Sequence, residues 1–114
     1  MQLTAFQTEI LSIVQSENGY FLSAYQICNA LEEQFPQIWA QLIAAYPSQG
    51  NAPQMGAGAN KPYSPATYVA LALEHFRQNG SPIRKEYFSC KNVEFNGITP
   101  GFTGNVISIW AWPT

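Results

Sequence analysis

Two short stretches, Leu22 to Gln26 and Tyr63 to Thr67, constrain this chain most, because each reads as a capped helix start preceded by an apolar residue. Ser23 with Gln26 has the spacing of a capping box, in which the serine hydroxyl and the glutamine side chain satisfy two otherwise unpaired backbone N–H groups. Leu22 and Ile27 are spaced as the hydrophobic staple that fixes how the chain enters the helix. At the second stretch Ser64 is the cap, and Pro65 takes the first helical position, where its missing N–H costs nothing. Tyr63 and Tyr68 are spaced as its staple.

Between and around these anchors the chain divides cleanly. Thr4 with Gln7 is a further capping box, and Phe6, Ile10, Ile13 and Val14 recur at helical spacing up to Asn18-Gly19, predicting a first helix over residues 4–17. Tyr20 to Leu22 allow a very short strand. The second helix buries Ile27, Leu31 and Phe35 and is closed by Pro36. Ile38, Trp39, Leu42, Ile43 and Tyr46 predict a short helix over residues 37–46. From Pro47 to Pro62 the composition turns to Gly, Ala, Asn, Pro, Ser and Gln, the signature of a loop. It is long for a compact domain, and such loops are functional or disordered. In the helix that begins at Ser64, Tyr68, Leu71, Ala72 and Phe76 form the expected inward face, and Asn79-Gly80 ends it.

After Pro82 the period shifts to two. Tyr87 to Cys90 and Val93 to Phe95 are broken by polar residues, Asn96-Gly97 and Thr99-Pro100-Gly101 are turn signals, and Val106 to Trp112 reads as a strong strand. In the last strand Val106, Ser108, Trp110 and Trp112 share one face, and Ile107, Ile109 and Ala111 share the other. Two largely apolar faces imply cover on both sides, or a partner. The expected architecture is α+β, three or four helices with a small antiparallel C-terminal sheet, in one domain over residues 1–114 with an inserted helix and loop at about 36–62.

Charge narrows the function. Charged residues are only 11% of the chain, against roughly 25% in an average domain, and so sparse a surface favours self-association. All seven acidic residues are Glu, so the usual first choice for Mg²⁺ or Ca²⁺ ligation and for orienting a catalytic histidine is absent. Residues 1–60 carry Glu9, Glu17, Glu32 and Glu33 with no Lys or Arg, a net −4; residues 61–114 hold all five basic residues against Glu74, Glu86 and Glu94, a net +2. Cys28 and Cys90 are too few and too far apart for a disulfide framework, so two buried thiols and a reducing, cytoplasmic setting are expected. Met1-Gln2 lacks a basic n-region, so a signal peptide is not expected, and no stretch approaches the roughly 20 apolar residues of a membrane span.

Motifs for chemistry are weak. Gly56 to Lys61 lacks the spacing of a phosphate loop, with Pro62 after the lysine and no strand before it. His75, the single histidine, has no Asp to orient it and no nucleophile nearby in sequence. Glu32 and Glu33 are adjacent on a helix and point apart, so they solvate a surface. Neither cysteine has zinc-finger spacing. The expectation is a non-enzymatic protein without cofactor or metal.

The order helix, short strand, helix, helix, strand, loop, strand resembles the winged helix-turn-helix superfamily over most of the chain. The resemblance implies a third helix and wing facing double-stranded DNA, with Ser64 and Thr67 in the helix's first turn and Arg77, Arg84, Lys85 and Lys91 toward phosphates. It also allows a protein-interaction or dimerisation module that binds no nucleic acid, with Trp110 and Trp112 at the interface. The chain departs from the pattern in one place: a few-residue turn ordinarily joins the second and third helices, whereas Pro36 to Tyr63 intervene here.

Overall fold

The computed structural model describes residues 1–47, 55, 64–95, 97–98 and 105–114. The loop expected over 47–62, apart from Pro47 and Met55, lies outside them, as do Lys61, the Tyr63 staple, Asn96 and the turn at 99–101. The described chain is α+β. Helices α1 (Gln7–Gln15), α2 (Ala24–Gln34), α3 (Pro36–Ala45) and α4 (Pro65–Gln78) accompany strands β1 (Leu22–Ser23), β2 (Arg84–Ser89) and β3 (Val106–Ala111). This layout is compatible with a winged-helix arrangement. No helix among the described residues is long and apolar enough to cross a membrane.

The caps at Ser23 and Ser64 form as their spacing predicts. The Gln26 N–H donates to Ser23 Oγ at 3.2 Å and the Ser23 N–H donates to Gln26 Oε1 at 2.8 Å, completing the box. The Thr67 N–H donates to Ser64 Oγ at 3.3 Å. The box expected at Thr4 does not form. Instead the Ala5 N–H donates to the Gln2 carbonyl and the Gln7 N–H to the Thr4 carbonyl, both at 3.2 Å, and α1 starts only at Gln7 with Phe6 as its uncapped boundary. The cause is tertiary: the Tyr68 hydroxyl donates to the Gln2 carbonyl at 2.6 Å, and Phe6 packs edge-on against the same ring.

Helix α2 is central to the helical layer and packs against α1, α3 and α4. Its Ile27, Cys28 and Leu31 are fully buried, and it ends at the C-cap Phe35, after which Pro36, which lacks an N–H, opens α3. In α4 the inward set differs from the expected one: Val69 and Leu73 are buried with Tyr68, Ala72 and Phe76, whereas Leu71 is 40% exposed. Tyr68 joins three segments, since its ring also stacks on Tyr46 at the end of α3, 5.2 Å between centroids.

The sheet is antiparallel with order β1-β3-β2. β2 begins at Arg84, and Arg84 to Tyr87 pair with Ala111 back to Ser108. The Val93 to Phe95 segment contributes only an isolated bridge, Phe95 with Ile98.

Burial and the neighbouring Tyr46 push the Tyr68 phenol from 10.0 up to about 12. A phenol whose folded value is raised contributes stability in full below pH 10, and that contribution is lost as the pH climbs towards 12. Urea unfolding should therefore show wild-type stability falling more steeply across this window than that of Tyr68→Phe. The variant should itself lose about 1 kcal/mol at neutral pH with the hydrogen bond to Gln2.

Candidate functional site

Strand β3 separates two surfaces of different character. Its pairing places Val106, Ser108 and Trp110 opposite Ser89, Tyr87 and Lys85 on one face, and Ile107, Ile109 and Ala111 opposite Phe88, Glu86 and Arg84 on the other. The first face turns towards the helices: Trp110 belongs to the core and is 2% exposed. Ile107, Ile109, Phe88, Phe21 and Val93 are not part of that core or of the side chains packed on it.

On the helix side, α4 and the sheet enclose a cleft of about 370 Å³. Ala66, Ala70 and Leu71 line it from the helix, Val106, Ile107, Ser108 and Trp110 from β3, and Glu74 and Lys85 supply charge. Glu74 accepts from Arg77, three residues on, and also pairs with Lys85 Nζ at 3.3 Å across the cleft. Hydrogen bonding from Arg77, then from Lys85, holds the Glu74 carboxyl below its ordinary 4.5 despite an opposing effect of burial. Lys85 also sits 5.2 Å from the centroid of the Tyr87 ring.

The opposite face carries a cavity of about 310 Å³ lined by Phe21, Ser23, Gln26, Phe88, Val93, Phe95, Ile107 and Ile109. Phe88 is 40% exposed. Tyr25 stacks on Phe95 at 5.3 Å and buttresses one end. Arg84 lies over the Phe21 ring at 5.5 Å, and Glu86 stands opposite Ile109, so this apolar face holds one cation and one anion.

The residues expected to contact DNA are dispersed. Ser64 is 2% exposed, and its hydroxyl is engaged by the Thr67 N–H and lies 3.1 Å from the Thr67 hydroxyl. The neighbouring Ala66 N–H donates to the Met55 carbonyl at 2.9 Å, so residue 55 of the insertion is anchored on the first turn of α4. Arg77 and Lys85 converge on Glu74, Arg84 lies on the far face of the sheet, and Lys91 is exposed just beyond β2. Of the expected interface residues, Trp110 is in the core and Trp112 is half-buried against it.

Sequence reasoning passed over Glu74, because its partner Lys85 is remote in sequence, and Phe88, whose outward placement depends on register. Cys28 and Cys90 are buried free thiols. Burial raises Cys28 far above the usual thiol range, which makes it a poor nucleophile. His75 meets Asn79 and the edge of Phe76 on the helix surface. Among the described residues no group of three or more His, Cys, Asp or Glu side chains is placed to hold a metal. Comparison with known protein families, curated proteins and solved structures finds no match.

Replacing the shared carboxylate is informative. Glu74→Gln should lower stability by no more than about 1 kcal/mol at neutral pH, as its partners are solvent-accessible. A carboxylate with a depressed folded value stabilises above its unfolded value, and the effect is lost as pH falls through the folded one. The gap between wild type and Glu74→Gln, followed by thermal unfolding, should thus persist above pH 4.5 and close below it.

Proposed function

We propose that this chain is a non-enzymatic interaction module of winged-helix-like architecture that pairs with a second copy of itself through the outer face of the sheet. The observation that carries this reading is the outer face itself: Phe21, Phe88, Ile107 and Ile109 lie outside the core, and the same face holds Arg84 and Glu86. Around a twofold axis such a face is self-complementary, with Arg84 of one copy meeting Glu86 of the other while the apolar side chains pack at the centre. Scarce surface charge favours the same outcome. Edge-to-edge pairing through β2 is disfavoured by Lys85 and Glu86 on that strand, which leaves the face as the route of association. The two buried thiols fit a reducing, cytoplasmic setting.

Binding of double-stranded DNA through α4 and the wing is what the winged-helix resemblance implies, and fewer observations support it. Arg84 and Lys91 stand outside the Glu74 cluster, but they are not gathered on one surface with Thr67. Affinity for duplex depends steeply on the number of phosphates neutralised. The first turn of α4, where base readers belong, is directed into the protein and against Met55.

A charge swap tests the self-pairing directly in sedimentation velocity. Wild type should show a concentration-dependent dimer, Arg84→Glu should weaken it by about tenfold or more, and the double change Arg84→Glu with Glu86→Arg should restore it. A wild-type monomer at every concentration, or a dimer indifferent to Arg84→Glu and to Phe88→Ser, would overturn the proposal.

A further inference from the structure

The cleft between α4 and the inner face of the sheet, on the opposite side from the proposed dimer surface, has a chemistry of its own. The Trp110 indole Nε1–H is buried and has no acceptor among the described residues. Buried donors are almost always paired, so one without a partner calls for an explanation. Trp110 lines the cleft, and Lys85 stands directly across the β2–β3 ladder from it, on the same face. Directly paired residues have Cβ atoms only about 4.5–5.5 Å apart. Lys85 and Trp110 therefore belong to one wall of the cleft, and the ammonium of the first and the indole N–H of the second can only donate. Ser108 adds a hydroxyl beside them.

The charge of the cleft points the same way. Two cations, Arg77 and Lys85, share the single carboxylate of Glu74, which leaves one positive charge in excess. Arg77 already holds Glu74 through two of its guanidinium nitrogens, so Lys85 can turn to another acceptor without stranding the glutamate. Ala66, Ala70, Leu71 and Val106 add apolar wall, Thr67 and Tyr25 also line the cleft, and a volume of about 370 Å³ lies at the small end of ligand pockets.

We infer that this cleft binds a small monocarboxylate with an apolar body, its carboxylate bridging Lys85 Nζ and the Trp110 indole N–H and its hydrocarbon part lying between Ala70 of α4 and Val106 of β3. The carboxylate supplies the acceptor that Trp110 lacks and the anion that balances the second cation. A neutral analogue of the same shape satisfies only the apolar half. Because the ligand touches both α4 and β3, its binding braces the helix against the sheet.

The test is a titration of the ¹⁵N-labelled full chain with phenylacetate, hexanoate and phenylacetamide, following the indole resonance of Trp110 assigned through Trp110→Phe. The expected result is a saturable shift of that resonance with at least one of the two carboxylates, and little or none with the amide. Lys85→Gln should weaken the binding by about tenfold. Ala70→Leu, which fills the cleft from a half-buried position, should abolish it while Lys85 remains in place. No saturable shift with either carboxylate, an equal response to the amide, or a response unchanged in both variants would overturn the inference.

Discussion

The pairing of β3 with both β1 and β2 is the constraint on which the rest of the structure depends. As the middle strand it hydrogen-bonds on both edges, so its orientation is fixed and its alternation is imposed on both neighbours. Trp110 is thereby carried into the core next to Leu22 of β1, while Ile107 and Ile109 are carried to the opposite side, across from Phe88 and Glu86. A slip of one residue would exchange these sets and leave Trp110 in water. The cleft and the outer apolar face are two consequences of one register.

Helix α4 supplies the other wall of the cleft. Its first turn is tied inward by the Ser64 cap and by the Met55 carbonyl on the Ala66 N–H, and Tyr68 one turn on binds the Gln2 carbonyl and stacks on Tyr46. The insertion that separates α2 from α4 thus reaches the core of the domain: α3 packs on α2, and Met55 is buried. Glu74, in the C-terminal half of α4, neutralises the basic side chains of Arg77 and Lys85.

Much of the fold was legible because its signals are local. The Ser23 and Ser64 caps are interactions across three residues, and the helical and two-residue periods identify α2, α4 and β3 without reference to the rest of the chain. The Thr4 box failed for a reason that is not local, since Tyr68 draws the first residues into turns. Leu71 was assigned inward on period alone, but the cleft beside α4 leaves it half in water. The division of β3 into two faces could be read from alternation, yet which face turns inward depends on the helices stacked against it. The Glu74–Lys85 pair joins elements separated by a turn and a change of secondary structure, and neither residue carries a motif. Basic residues close in sequence therefore read as one patch, although the strand sends Arg84 and Lys85 to opposite faces.

The most direct measurement of the central claim is an isotope-filtered NOESY spectrum on a mixture of ¹³C-labelled and unlabelled chains. Self-pairing through the outer face predicts intermolecular cross-peaks from the Ile107 and Ile109 methyl groups of one copy to the Phe88 ring of the other. An absence of intermolecular cross-peaks at the highest soluble concentration, or cross-peaks confined to α1, α3 or α4, would contradict it.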